Sequence, residues 1–197
     1  MARGFRESGA AWVARAWPFL KWSLYGLLGV NVVLFLVGQT LVEATDSLAW
    51  ILLLLLFEWE TARRLSGAIG ARIRMLLRSG RAAAYVVILL SALEYSSAGY
   101  RATEGDLDLW NAWTWIAITA LLELDVRIEP ERARWLRNAS KAVLYGTLFV
   151  CVLLWALAGE LLDAWDASLW IFCFFVIELN VFRFDQTAAV QNRQACS

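Results

Sequence analysis

The chain has 197 residues, of which 60% are hydrophobic and 12 are tryptophan, and its mean hydropathy is +0.56. This composition excludes an ordinary soluble globular protein and predicts one all-α integral membrane domain over residues 1–197. The 18 Lys and Arg residues balance the 18 Asp and Glu residues, and the basic ones are interleaved with membrane-seeking apolar residues, so no nucleic-acid interface is expected.

Six apolar segments follow one another along the chain and predict six transmembrane helices. A full crossing needs ~20 helical residues, so the shorter segments require tilt or snorkelling flanks. The segments are residues 22–41, 48–62, 82–98, 109–128, 142–158 and 169–184.

Basic and acidic residues are sorted between the two sides of the predicted membrane. If the segments cross alternately, every Lys and Arg except Arg101 lies on the side of both termini. The positive-inside rule makes that side cytoplasmic. We therefore predict a multi-pass protein of the plasma membrane, which in bacteria is the inner membrane. The opposite connections are acidic and contain Glu43, Asp46, Glu104, Asp106, Asp108, Glu160, Asp163 and Asp166.

An internal repeat divides the chain into three units. A shift of 60 residues superimposes Lys21, Arg81 and Lys141, and five extra residues in the middle outer loop bring the second helix of each unit into alignment. Because each unit crosses the membrane twice, the units are parallel hairpins related by a pseudo-threefold axis. The predicted boundaries are residues 7–67, 68–128 and 129–187, followed by a cytoplasmic tail at 188–197.

A basic amphipathic segment precedes each hairpin. Arginines beside Trp, Leu, Ile and Met at helical spacing predict an interfacial helix attracted to anionic lipids at the cytoplasmic face. A solvated linker is the alternative interpretation.

Matched acids recur near the cytoplasmic end of the second helix of each hairpin. A charged side chain at the centre of a bilayer costs about 2 to 3 kcal/mol on insertion scales, so such a group must be paired, neutralised or hydrated. Packing three hairpins around one axis could join the acids as a ring that binds a cation or protons. The ring residues are Glu58, Glu123 and Glu178, with Glu60, Asp125 and Asn180 two positions later, and Glu94 is a further candidate.

The alternative role for these acids is structural. The cations that open the first helix of each hairpin recur with the same period, so they could form salt bridges across the hairpins. The predicted pairs are Lys21 with Glu58, Arg81 with Glu123, and Lys141 with Glu178.

Aromatic and aliphatic residues also recur at the outer ends of the second helices. Trp50, Trp115 and Trp170 fit an aromatic belt at the membrane interface, or alternatively a cation–π filter. Ile51, Ile116 and Ile171 precede the three glutamates by seven residues and could form a hydrophobic gate.

The leading hypothesis for function is a small membrane protein that conducts or exchanges a cation or protons through the carboxylate cluster. The alternative is a non-catalytic accessory or scaffold subunit, with membrane protein partners or further copies of itself and with the acids in salt bridges. The chain has no histidine and lacks the common catalytic motifs, so we predict no enzymatic activity, no cofactor and no metal site.

Overall fold

The computed structural model describes residues 2–65, 70–127 and 134–175, and all of its regular structure in these ranges is α-helical. The described chain contains seven helices. They are α1 (Ala2–Gly38), α2 (Leu41–Leu65), α3 (Ala71–Tyr95), α4 (Ala98–Glu104), α5 (Leu107–Arg127), α6 (Arg134–Ala158) and α7 (residues 161–175).

Three helices are long and apolar enough to cross a membrane, within the described ranges. The apolar stretches are Phe19–Gly38, Ala71–Tyr95 and Trp135–Ala158, which have 20, 25 and 24 residues. At a rise of about 1.5 Å per residue each can traverse a hydrocarbon core of about 30 Å. No more than 28% of any of these stretches is buried inside the protein, so most of their apolar surface faces outward. These features indicate a multi-pass membrane protein.

The described parts of the other three predicted spans are also helical. Within the described ranges α2 and α5 carry tryptophans and acids singled out in the sequence, and only residues 161–175 of α7 are described, so these helices are not among those long and apolar enough to cross a membrane. The structure therefore supports three spanning helices by length and composition, and the six-span arrangement stays a prediction.

The basic segments differ from the expected separate interfacial helices. Residues 71–80 form the first turns of α3, residues from 134 onward begin α6, and α1 is continuous from Ala2 to Gly38. In α3 no helix-breaking proline separates the basic turns from the apolar ones, so one helix propagates through both. A helix of 25 residues is longer than the hydrocarbon core is thick, and its basic end can extend to the headgroups.

The chain separates into two compact units, Met1–Leu109 and Trp110–Ser197. In the first unit α2 packs against both α1 and α3, and α4 packs against α3. Its most deeply buried side chains include Leu28, Leu53 and Leu77. In the second unit the buried side chains include Ile118, Leu148 and Cys173.

Some of the buried positions recur at the spacing of the predicted repeat. In α1, α3 and α6 three sets of buried side chains are spaced 60 residues apart, and in α2, α5 and α7 two sets follow the same alignment with the five-residue shift. The first set comprises Leu28, Ile88 and Leu148, then Asn31, Ser91 and Cys151, then Phe35, Tyr95 and Trp155; the second comprises Trp50, Trp115 and Trp170, then Leu53, Ile118 and Cys173.

Two connections are tight helical turns. Gln39 and Thr40 join α1 to α2, where the Glu43 amide donates to Thr40 Oγ1 at 3.4 Å in the manner of an N-cap. Gly159 and Glu160 join α6 to α7, and the Glu160 amide donates to the Trp155 carbonyl at 2.9 Å. This bond, together with a φ of 88° at Gly159, closes a Schellman motif. Two-residue connections make antiparallel hairpins of the flanking helices.

The turn at Gly159 provides a stability test. We expect Gly159→Ala to lower the free energy of unfolding by about 1 kcal/mol, because a Cβ disfavours the left-handed backbone conformation. Gly146 is the matched control, since it lies inside α6 and a Cβ added there would meet no atom within 4 Å. Gly146→Ala should be neutral or stabilising by about 0.5 to 1 kcal/mol. Unfolding in mixed detergent micelles measures both, and equal effects would contradict the assigned turn.

Candidate functional site

Two acids near the end of α2 lie between the neighbouring helices. Glu58 and Glu60 are two residues apart, which places them about 200° apart around a helix of 3.6 residues per turn. Because α2 packs against α1 on one side and α3 on the other, the two carboxylates face different neighbours.

The first acid pairs with α1. Lys21 Nζ donates a hydrogen bond to Glu58 Oε1 and forms an ion pair with it. Lys21 lies 18 residues before Gln39, and Glu58 lies 18 residues after Thr40, so the antiparallel hairpin brings them to the same level. At the helical rise that level is about 27 Å from the turn. The side chains are 26% and 31% exposed, and the ammonium also lies 5.1 Å from the centroid of the Trp22 ring.

The second acid pairs with α3. Arg81 Nη1 lies 2.7 Å from Glu60 Oε2, and the Glu60 side chain is only 12% exposed. The guanidinium carbon also lies 5.1 Å from the centroid of the Phe57 ring. Gly80, the residue before Arg81, lets α3 lie close to α2 at this level, because a Cβ there would lie 3.1 Å from Leu56 Cδ1.

Arg81 contacts an acid that the sequence analysis did not assign to it, Glu60 of α2. It reaches Glu60 because α2 packs against α3 as well as α1, and Glu60 lies on the α3 side. The predicted partner, Glu123, belongs to the second unit, and that pairing stays a prediction.

We refer to Lys21, Glu58, Arg81 and Glu60 as the charge layer. It contains two cations and two carboxylates, each carboxylate in contact with a different cation. The formal charges of the layer therefore cancel within the first unit, which is how a weakly polar environment tolerates ionised groups.

The remaining predicted acids and cations are dispersed over other elements. Glu123 in α5 and Lys141 in α6 are half-buried, and Glu94 is exposed on α3. The side chain of Asp125 and the residues Glu178 and Asn180 lie outside the described part of the chain. The proposed ring is therefore described only in part.

The aromatic positions lie inside the units. Trp50, Trp115 and Trp170 are all buried, and the rings of Trp115 and Trp170 lie 4.8 Å and 6.3 Å from that of Phe174, centroid to centroid. Phe174 thus packs between two of the predicted filter residues. The gate residues Ile51, Ile116 and Ile171 are partly exposed.

A second polar contact, at the opposite end of the first unit, was missed in the sequence. The Tyr100 hydroxyl lies 2.7 Å from Glu43 Oε1 and 3.1 Å from Asp108 Oδ2. Tyr100 belongs to α4, which is built from the extra residues of the middle outer loop and begins at the Ser97 N-cap. Burial, followed by the charges of Asp108 and Glu43, raises the pKa of Tyr100 well above its ordinary value. The only sequence signal for this contact was a tyrosine inside an otherwise acidic insertion.

An exposed ion pair flanks that contact. Arg101 Nε donates to Asp106 Oδ1 at 2.5 Å, and this hydrogen bond holds the pKa of Asp106 below its ordinary value. Both side chains are about half exposed, so water screens the pair and it contributes little to stability.

The basic end of α3 forms a shallow surface cavity of about 550 Å³, lined by Ala71, Arg74, Met75, Arg78 and Ser79. Met75 and Leu76 are largely exposed. In the described ranges, no group of three or more His, Cys, Asp or Glu side chains is arranged to hold a metal ion.

Comparison with known proteins gives no relative: no protein-family model, no curated protein and no solved structure matches this chain.

Proposed function

We propose that this protein is a non-catalytic accessory or scaffold subunit of a membrane complex, in which intramembrane carboxylates hold helices together. The observation that supports the proposal best is the charge layer, where Glu58 and Glu60 each pair with a cation from a different neighbouring helix. Such pairs fix which helices are adjacent and at what level, which is a role of buried polar groups in helix association.

The pairing argues against free exchange of ions at these two acids. A cation that bound Glu58 would have to displace the Lys21 ammonium, and one that bound Glu60 would have to displace the Arg81 guanidinium. Each displacement would leave a desolvated cationic side chain without its counter-charge, at a cost of several kcal/mol. A structural role requires no such step.

The outer surface is suited to lipid or to membrane protein partners. Large apolar side chains on the spanning helices are exposed, including Val37, Leu157 and Val143 at 84%, 83% and 68%. In a bilayer this surface contacts acyl chains or the helices of a partner or of a second copy. The exposed arginines and Met75 at the start of α3 support binding to anionic headgroups on the cytoplasmic side.

We further propose that the full arrangement is three parallel hairpins with six crossings and both termini in the cytoplasm. The support is the common set of buried positions and the tight turns at 39–40 and 159–160. The register adds to it, because Lys141 lies 18 residues before Gly159 and Glu178 lies 18 residues after Glu160, the spacing that pairs Lys21 with Glu58.

Conduction of a cation or protons is the second candidate. It is favoured by one atom: Glu58 Oε2 is buried and accepts no hydrogen bond within the described part of the chain. An oxygen of this kind is a ligand that hard cations accept. If the protein conducts ions, Glu58 would bind them together with Glu123 and Glu178, and the three hairpins of the repeat would line the conduction path.

Reconstitution of the purified protein into sealed liposomes distinguishes the two functions. We expect proton and K⁺ flux no greater than in protein-free liposomes, with an added ionophore showing that the vesicles are sealed. We also expect Glu58→Gln to lower the stability of the protein and the yield of its native assembly on non-denaturing gels. Glu94→Gln, which changes an exposed acid, is the matched control and should alter neither. Flux that Glu58→Gln abolishes while the protein stays folded would overturn the scaffold proposal.

A further inference from the structure

The outer contact of the first unit joins three helices through one phenol. Tyr100 of α4 lies between Glu43 of α2 and Asp108 of α5, at 2.7 Å and 3.1 Å. Glu43 and Tyr100 are each 8% exposed and Asp108 is half-buried, so bulk water has little access to the hydrogen bond between Tyr100 and Glu43. This contact is independent of the charge layer and of the proposed function.

The number of protons limits the hydrogen bonds that Tyr100, Glu43 and Asp108 can form with one another. A tyrosine hydroxyl donates one hydrogen bond, and an ionised carboxylate only accepts. If both carboxylates were ionised, Tyr100 could donate to one of them, and the other would face the hydroxyl oxygen with no hydrogen between them. Two short oxygen–oxygen contacts at one phenol therefore require a second proton.

Glu43 is the acceptor at this contact. Its Oε1 accepts from Thr40 Oγ1 at 2.7 Å as well as from Tyr100, and its Oε2 is buried with no hydrogen-bond partner in the described ranges. The Tyr100 hydrogen is thus directed to Glu43 Oε1, which leaves the hydroxyl oxygen to accept from Asp108.

We propose that Asp108 carries a proton and that Asp108, Tyr100 and Glu43 form a directional hydrogen-bond chain that acts as a proton-binding site. The Asp108 carboxyl donates to the Tyr100 hydroxyl, which donates to the Glu43 carboxylate. The ligand is a single proton, and its binding fastens α4 to α2 and α5. No bond is broken in the site, because protonation and release exchange this one proton with water.

Neighbouring acidic groups also favour retention of the proton on Asp108. Asp46 of α2 and the Tyr95 and Tyr100 hydroxyls are close enough to interact electrostatically, and Tyr95 stacks edge-on against Tyr100 with centroids 5.0 Å apart. Asp46, Glu43 and Asp108 are all acidic, and Arg101, the cation of α4, is paired with the exposed Asp106. Clustered carboxylates disfavour a further negative charge, which promotes retention of the proton. Burial, together with the hydrogen bond to Glu43, raises the pKa of Tyr100 and keeps its own proton in place.

The dependence on pH follows from the linkage of proton binding to the contact. The closed contact binds a proton that the opened contact releases, so closure is favoured at low pH and weakens as pH rises. The Arg101–Asp106 pair has the opposite dependence. The lowered pKa of Asp106 means that the pair is present at neutral pH and is lost in acid.

Carboxyl NMR of the full chain, labelled with ¹³C at the Asp and Glu side-chain carboxyls, tests the proposal directly. Asp108→Asn and Asp106→Asn identify the two resonances. We expect the Asp108 carboxyl to titrate at least about 2 pH units above that of Asp106, and Tyr100→Phe to shift the Asp108 midpoint down by about 1 unit or more. Asp108→Asn retains a donor toward Tyr100, so protection of the α4 amides from hydrogen exchange should no longer decrease as pH rises in this variant.

Other outcomes would overturn the proposal. One is that Asp108 and Asp106 titrate together and Tyr100→Phe leaves both unchanged. Another is that the raised midpoint belongs to Glu43, which would place the proton on the wrong acid. The midpoints are read from the wild-type titration, and the substituted proteins serve to assign the resonances and to test the contribution of Tyr100.

Discussion

Lys21→Met should lower the free energy of unfolding by about 3 kcal/mol. The substitution retains an unbranched side chain of similar length but removes the charge that neutralises Glu58, and a desolvated carboxylate without its partner is strongly destabilising. Reversible unfolding in mixed micelles, followed by circular dichroism, measures the change.

The double variant Lys21→Met with Glu58→Leu provides the control. Replacing both members of a buried pair by apolar residues is often close to neutral, so we expect it to recover most of the loss caused by Lys21→Met alone. If the double variant is less stable than the single one, Glu58 interacts mainly with something other than Lys21.

Arg81→Met should lower the free energy of unfolding by at least as much, about 3 kcal/mol, because the carboxylate that loses its partner, Glu60, is more deeply buried than Glu58. The loss has two parts, the ion pair with Glu60 and the cation–π contact with Phe57, and the second contributes about 0.5 to 2 kcal/mol. Measurement in the same micelles allows direct comparison with Lys21→Met.

Arg78 is the matched control for this prediction. It lies on the same helix less than one turn earlier and is exposed, so Arg78→Met should change stability by no more than about 0.5 kcal/mol. If Arg78→Met and Arg81→Met have equal effects, the basic charge of α3 as a whole matters and the contact with Glu60 does not.

Local features of the sequence predicted part of the fold. The apolar runs anticipated the long helices, whereas Gly159 and Thr40, which end and begin helices at the two tight turns, were not singled out in the sequence. The common period of the cations and the acids was sufficient to suggest the pairing of Lys21 with Glu58, and their equal spacing from the turn explains why the two side chains meet. The sequence did not anticipate α4, because an insertion of five residues shows that the loop is longer without showing that it is helical.

The sequence did not predict contacts between helices that belong to different predicted hairpins. The Arg81–Glu60 pair depends on α2 packing against α3, which internal symmetry does not specify. The Tyr100 contact depends on three elements meeting at one point, and no spacing along the chain encodes that distance. The basic segments were expected as separate helices because their amphipathicity was evident, whereas continuity with the following span depends on the absence of a break.

An exchange of charges in the first unit determines whether the α2 acids serve as structural ion pairs. The variant carries Lys21→Glu and Glu58→Lys together, and its free energy of unfolding is compared with those of the two single variants. A structural pair predicts that the double variant regains at least about half of the stability that the single variants lose, because opposite charges still meet at the same level of the hairpin. A loss equal to the sum of the two single losses would show that the carboxylate at position 58 is needed for something other than Lys21, and would contradict the structural role.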